Sequence, residues 1–450
     1  MEFSFDLFRK NGIQFPTTFK MPESLDFRSI DRMEQVFSEE GTKIGTALRR
    51  LKKRTPDYYY NSILLAQTEA QNYSINSFPL YRLLLPDVLM DDWLSIICPH
   101  MKGKRDHSLH QPLTAYIVSE LLRGGDDKKG LRLPSGKPLL DACAEMFLDK
   151  QGTKYLRDYY EVLYPEMPPK GYIRNTWAKE LFYQTSIIAA LFHDIGYPWQ
   201  FLNKVGSCTG IVNREGLLME DSSGECIYNF IEKRLLAYPF YAYSATPQHS
   251  STASWNLEVV KLIDEAYRKT HGFPGALAFM YLNDSIRKFA GNLSMKQADC
   301  RFIQDWAAVG IMMHDMVWRY YGKNMRPDQP RFRLSMDKDP LSCIIAMADV
   351  LEEFGRPSAD FRADVNNDRG VCVSFNDSPC KKTIINVNAS TLEITYQYNT
   401  IEDRIKYEKG RKDEIENYFK KPFGFIDLSA IGINKVLCDV KYVPPRNKTN

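Results

Sequence analysis

Two titratable residues end an apolar stretch near the middle of the chain. The segment ALFHDIGYPW, residues 190–199, places His193 and Asp194 directly after an apolar run typical of a helix. Burying a carboxylate or a charged imidazole is costly unless a partner compensates for the lost hydration. A metal ion is one such partner, and imidazole together with carboxylate suits zinc, manganese, iron, cobalt or nickel.

Similar positions recur elsewhere in the chain. His314 closes the apolar run AAVGIMM, and Asp349 lies inside the apolar IIAMADVL. His110 opens HQPLTAYIV, and His249 precedes SSTASWNLEVV. A single histidine that ends an apolar helix is usually a core residue with a hydrogen-bond partner. Several of them on separate helical segments predict ligands that meet around metal in a helical core.

The elements that would position these residues are predicted to be helices. The clearest helical patterns cover residues 113–122, 180–192, 252–269, 301–314 and 341–354. After about residue 360 the segments become β-branched and alternating, with one charged amphipathic helix among them. We therefore expect a mainly α fold with a helical bundle and a small C-terminal α+β appendage. The predicted domains are a helical N-terminal extension (1–90), a metal-binding domain (91–360) and the α+β domain (361–450).

Composition restricts the function classes. The chain has 450 residues, 26% of them charged, and its net charge of +3 argues against a strongly basic nucleic-acid binder. Its nine cysteines include no CxxC pair, which favours reduced thiols in a cytoplasmic protein. The start of the chain has no apolar signal region, and no apolar run has the length of a membrane span. We expect a cytoplasmic protein without membrane partners.

The order H…HD…H…H…D resembles the signature of the HD-domain superfamily of metal-dependent phosphohydrolases. The resemblance extends from about residue 95 to 360, and ALFHDIGYP is its most specific part. It implies an HD-type helical bundle that holds one or two divalent metals, with magnesium an option beside the transition metals. It also implies a hydrolase that cleaves phosphate esters with metal-activated water.

The resemblance also implies a set of metal ligands: His110, His193, Asp194, His249, His314 and Asp349. Asp194 would bridge the two metals. His107 is an alternative first ligand, because it lies three residues before His110 on the same helical face. If His110 is the ligand, His107 would support it or contact phosphate.

Further candidates for the reaction are basic or acidic residues near these ligands: Lys104, Arg105, Asp194, Lys204 and Arg356. The cations would bind phosphate, and Asp315 would orient a ligating histidine. Many superfamily members carry lysine three residues after the HD aspartate, where this chain has Tyr197. The segment HDIGYP partly resembles the HDIGHP of deoxynucleotide triphosphohydrolases in the superfamily.

Three functions are compatible with these observations. The first is a phosphohydrolase whose substrate is a nucleotide or related phosphate ester, deoxynucleoside triphosphates among them. The second is a nucleotide-binding sensor of little activity that signals through the α+β appendage. The third is an HD nuclease, which the near-neutral charge and the absent lysine disfavour. A homo-oligomer is compatible with all three.

Overall fold

The computed structural model describes the chain in separate stretches: residues 1–11, 107–122, 130–149, 176–197, 270–277, 279, 306–315, 334–354, 358–363, 371–376, 378–420 and 424–444. The chain divides into two compact units. Unit one comprises Met1–Leu139, Met347–Gly424 and Ile431–Asn450. Unit two comprises Leu140–Ala346 and Phe425–Ala430.

Six helices have defined ends: α1 (Phe5–Asn11), α2 (His107–Leu122), α3 (Leu139–Asp149), α4 (Thr176–Phe192), α5 (Pro340–Leu351) and α6 (Ile401–Phe419). Residues 272–277 and 306–315 are also helical, and Ser429–Ile431 form a single 3-10 turn. Among the described helices, none combines the length and the apolar composition needed to cross a membrane.

The described strands are β1 (Glu2–Ser4), β2 (Leu334–Ser335), β3 (Ser358–Ala363), β4 (Val371–Asn376), β5 (Cys380–Asn388), β6 (Thr391–Tyr398), β7 (Ile426–Asp427) and β8 (Lys435–Tyr442). Two of them, β3 and β4, form an antiparallel pair, and β2 pairs with β7 in parallel.

A four-stranded mixed sheet in unit one has the order β1-β5-β6-β8. Strand β5 is antiparallel to both β1 and β6, whereas β8 is parallel to β6. Alternate β6 side chains, from Leu392 to Tyr398, are buried, as expected for a strand with one face on the core. Helix α6 connects the parallel strands β6 and β8, and the side chain of Thr400 caps it by accepting from the Asp403 N–H.

The prediction of a mainly α fold, an HD-type bundle with a small C-terminal appendage, is wrong. The described residues are a mixture of helices and strands and include the four-stranded mixed sheet. One of its strands, β1, lies in residues 1–90, which the sequence predicts to be mainly helical. A three-residue strand is too short to show alternation, and its partner β5 is about 380 residues away in sequence. The domain boundaries stay predictions.

Most predicted helices in the described regions are observed. Helices α2, α4 and α5 and the helical residues 306–315 correspond to four of the five apolar patterns, and the pattern at 252–269 lies outside the described residues. In unit two, α3, α4 and the 306–315 helix share an aromatic core. The Phe147 ring centroid lies 5.2 Å from that of Phe182 and 4.7 Å from that of Trp306.

The end of α5 is attached to the sheet in unit one. The Tyr396 hydroxyl donates to the Val350 carbonyl at 2.8 Å, and the Thr383 hydroxyl donates to the Leu351 carbonyl at 3.0 Å. The last carbonyls of a helix have no partner within it, so buried ends need outside donors. Two sheet hydroxyls supply them here, and they fix the turn of α5 that follows Asp349.

Candidate functional site

The HD dipeptide forms the turn that follows α4. His193 is fully buried and Asp194 nearly so. The imidazole Nδ1 of His193 donates to the Ala190 carbonyl at 2.7 Å, which uses an acceptor left open by the last turn of α4. This bond fixes the ring with Nε2 3.4 Å from Oδ1 of Asp194. The end of the helix thus orients a histidine toward its neighbouring carboxylate.

His314 is held in the same way. It lies near the end of the helical residues 306–315, and its Nδ1 donates to the Ile311 carbonyl at 2.6 Å. Its Nε2 lies 3.7 Å from Oδ1 of Asp194. Two separate helices therefore each direct a buried imidazole toward one carboxylate oxygen.

A third imidazole, that of His271, reaches the same oxygen. Its Nε2 lies 3.0 Å from Oδ1 of Asp194 and 3.0 Å from Nε2 of His314. On the other side of the ring, Nδ1 lies 2.7 Å from Oδ2 of Asp315, which also accepts the backbone N–H of His271 at 3.0 Å. Asp315 thereby orients both the backbone and the ring of His271.

We refer to these residues as the three-histidine group: His193, Asp194, His271, His314 and Asp315. In each imidazole an oxygen lies within 2.7 Å of Nδ1. A ring that carries its proton on Nδ1 has its Nε2 lone pair on the side of Asp194. Lone pairs aimed at a carboxylate repel it unless a cation lies between them. Two donors, each about 2.1 Å from one metal, lie about 3.0–3.5 Å apart, close to the separations observed.

The three-histidine group therefore fits a metal ion. Ligand atoms of His193, Asp194 and His314 all lie within 4.8 Å of one another, and these buried side chains could hold such an ion. In the metal-free protein a proton can compensate for the same repulsion. Burial disfavours charge on His271, but Asp315 and Asp194 outweigh it and raise its pKa to about 9.

A glycine of the HD motif allows this geometry. A Cβ atom added at Gly196 would overlap the carbonyl oxygen of His271 and lie 2.6 Å from the backbone nitrogen of Gly275. The backbone after the HD turn and the backbone around His271 are therefore in direct contact. Tyr197, the next residue, stacks on the His271 ring, with ring centroids 4.0 Å apart and planes inclined by 12°.

A second arrangement, in unit one, surrounds His110 of α2. Its Nε2 lies 2.8 Å from Oδ1 of Asp349, and its Nδ1 lies 2.7 Å from Oε2 of Glu352. We refer to these three residues as the two-carboxylate group. Burial opposes a charge on His110, but its hydrogen bonds to Asp349 and Glu352 outweigh this and hold its pKa well above the ordinary value.

The structure brings the sequence-predicted ligands into these two sets. His193, Asp194 and His314 lie together in unit two, and His110 and Asp349 lie together in unit one. That all six ligands share one centre stays a prediction. The remaining candidates lie outside the described residues, or have side chains that do: Lys104, Arg105, His107, Lys204, His249 and Arg356.

Sequence reasoning missed two residues of these sets. His271 lies in KTHGFPG, two residues after the predicted helix 252–269. The last turn of that helical pattern, EAYRK, is charged rather than apolar, so the pattern that identified the other histidines is absent. Glu352 had a usable signal, since it follows Asp349 by three residues and so lies on the same helical face. Asp315, expected to orient a ligating histidine, contacts His271.

Comparison of the chain with protein-family models, with curated proteins and with solved structures finds no match.

Proposed function

We propose that this protein is a metal-dependent phosphohydrolase that cleaves a nucleotide or a related phosphate ester. One observation carries the proposal: three buried imidazoles place Nε2 within 3.7 Å of a single oxygen of Asp194, and each has an oxygen within 2.7 Å of its Nδ1. Such a set is typical of histidines that bind metal through one nitrogen and are oriented through the other.

The three-histidine group would hold a divalent cation through His193, Asp194, His271 and His314. His110 and Asp349 would hold a cation in unit one. When bound, a divalent cation lowers the pKa of water from about 16 toward neutrality and offsets charge on phosphoryl oxygens. Several nitrogen donors favour manganese, iron, cobalt, nickel or zinc over magnesium, which prefers oxygen.

The protein's own residues have distinct tasks in this proposal. Asp315 keeps the His271 ring directed at Asp194, and the carbonyls of Ala190 and Ile311 do the same for the other two rings. The burial of the group excludes bulk water, which strengthens each electrostatic contact. Four cations near the ligands in sequence would bind the phosphate of the substrate: Lys104, Arg105, Lys204 and Arg356.

A nucleotide-binding sensor is the second candidate function. The hydroxyls of Tyr396 and Thr383 attach the sheet to the turn of α5 that follows Asp349. A ligand-induced shift at Asp349 would therefore be transmitted to the C-terminal strands. In either function we propose a cytoplasmic protein whose partner is a nucleotide or phosphate ester, with assembly into a homo-oligomer as a further proposal.

A substrate screen tests the proposal. Nucleotides and phosphate esters are incubated with the full-length protein and Mn²⁺, Co²⁺, Ni²⁺ or Mg²⁺, with Asp194→Ala as the control. We expect phosphate release with at least one transition metal and its loss in the variant. Release that persists in Asp194→Ala would refute this site. Nucleotide binding without turnover would instead favour the sensor.

A further inference from the structure

The carboxylate of Glu352 is the most completely buried charged group beside His110. Its side chain is 0% exposed, and Oε2 lies 2.7 Å from Nδ1 of His110. The Thr114 hydroxyl oxygen is 3.4 Å from the same nitrogen and is thus the more distant partner. On the opposite side of the ring, Asp349 lies 2.8 Å from Nε2. One imidazole therefore lies between two carboxylates.

Both carboxylates come from one helical turn. Asp349 lies in the last turn of α5, and the backbone N–H of Glu352 still donates to the Ala348 carbonyl at 3.1 Å. Residues three apart in a helix lie on one face, so both side chains reach His110. A buried carboxylate–cation pair contributes little net stability, because desolvation opposes the attraction. A contribution to folding stability is therefore a weak explanation for the buried carboxylate of Glu352.

We propose that Glu352 is a positioning residue for His110. Its carboxylate accepts a hydrogen bond from the Nδ1–H of His110, which directs the Nε2 lone pair toward Asp349. The same hydrogen bond strengthens His110 as a metal donor. A hydrogen bond to a carboxylate is roughly twice as strong as one to a neutral acceptor. Such partners also raise the basicity of a ligating histidine. The inference rests on the proposed metal-binding function and adds a residue to it.

The surroundings of Glu352 hold it in this orientation. The hydroxyl of Thr383 donates to the Leu351 carbonyl, and that of Ser378 donates to the Glu353 carbonyl at 3.2 Å. The neighbouring carboxylate, Glu353, lies 3.1 Å from the Arg411 guanidinium of α6. Consecutive acidic residues thus have separate partners, and the hydroxyls of Thr383 in β5 and of Ser378 just before it hold the backbone on both sides of Glu352.

The test uses full-length protein and Zn²⁺ alone, titrated in competition with a chromophoric chelator. Glu352→Gln keeps the size of the side chain and an acceptor oxygen but removes the charge, whereas Glu352→Ala removes the acceptor. We expect Zn²⁺ affinity to fall roughly 10-fold in Glu352→Gln and up to about 100-fold in Glu352→Ala. Glu416→Gln, an exposed carboxylate on α6, is the matched control and should bind like the wild type.

A spectroscopic signature separates positioning from structural support. In Zn²⁺-loaded protein, the His110 Nδ1 proton should resonate far downfield and move upfield in Glu352→Gln. Wild-type affinity in both variants would overturn the inference, and so would an unmoved Nδ1 proton. No substrate is used, so failure to find a hydrolytic activity does not affect the test. A wild-type protein that binds no metal would overturn the proposed function as well.

Discussion

The two groups of buried histidines have opposite compositions. In the three-histidine group, imidazoles surround the single carboxylate of Asp194, whereas in the two-carboxylate group a single imidazole lies between Asp349 and Glu352. The supports differ as well. Backbone carbonyls at helix ends orient His193 and His314, but side-chain carboxylates hold both nitrogens of His110.

This difference bears on which metals each group prefers. A set with three nitrogen donors and one oxygen donor selects transition metals, and a set with one donor of each kind, His110 and Asp349, also accepts harder ions such as manganese and magnesium. The difference also affects how well the orientation of each imidazole tolerates mutation. An orientation set by backbone carbonyls survives many side-chain changes, whereas one set by Glu352 depends on that residue alone.

The largest expected effect comes from removing one imidazole from each group. His271→Ala should lower Zn²⁺ or Ni²⁺ affinity by more than about 100-fold, above the range for residues that only orient a ligand. His110→Ala should affect Mn²⁺ binding more than Ni²⁺ binding, because its group is richer in oxygen. Chelator competition measures both, and equal losses for all metals in both variants would contradict the comparison.

His249→Ala belongs in the same series, since the sequence predicts this residue as a ligand. A loss as large as that of His271→Ala would add His249 to the three-histidine group. An affinity equal to that of the wild type would leave His271 as the imidazole that completes it.

The second effect is a pH dependence of metal binding at the three-histidine group. The pKa of His271 is about 9 without metal, so below that pH a cation must displace a proton from the ring. Affinity should therefore rise with pH by roughly tenfold per unit, about 100-fold from pH 7 to pH 9, and then level off. Calorimetric titrations of His110→Ala, which removes the other group's proton, measure this, and affinity independent of pH would refute it.

The smallest expected effect is the loss of stability from the close backbone contact at Gly196. It is compared with a glycine substitution at a position that has no such contact. Gly196→Ala should force the His271 backbone away, at a cost of about 1–3 kcal/mol in the free energy of unfolding. Gly410→Ala, at an exposed position in α6 with open space around it, should instead stabilise the protein by about 0.5–1 kcal/mol. Denaturant unfolding measures both, and equal midpoints for the two variants would show that the close contact is unimportant.

The sequence predicts the parts of the fold that repeat a pattern locally. The apolar periodicity of α4 and α5 identifies both helices, and the ends of apolar helices identify His193 and His314. His271 follows the predicted helix 252–269, but the last turn of that pattern is charged rather than apolar. The place of His271 depends instead on close backbone contacts with residues distant in sequence. The strand β1 pairs with β5, which is far away in sequence. Local patterning therefore predicts neither this strand nor the backbone contacts of His271.

The hydroxyl bonds between the sheet and α5 have a practical consequence for anyone who shortens this chain. A fragment that stops before β5 would lose Thr383 and Tyr396, and water would compete for the carbonyls of Val350 and Leu351. The turn that carries Glu352 would then fray, and Asp349 and Glu352 would no longer both contact the imidazole of His110. A shortened chain that is meant to keep this group of residues should therefore extend at least through Tyr398, the last residue of β6.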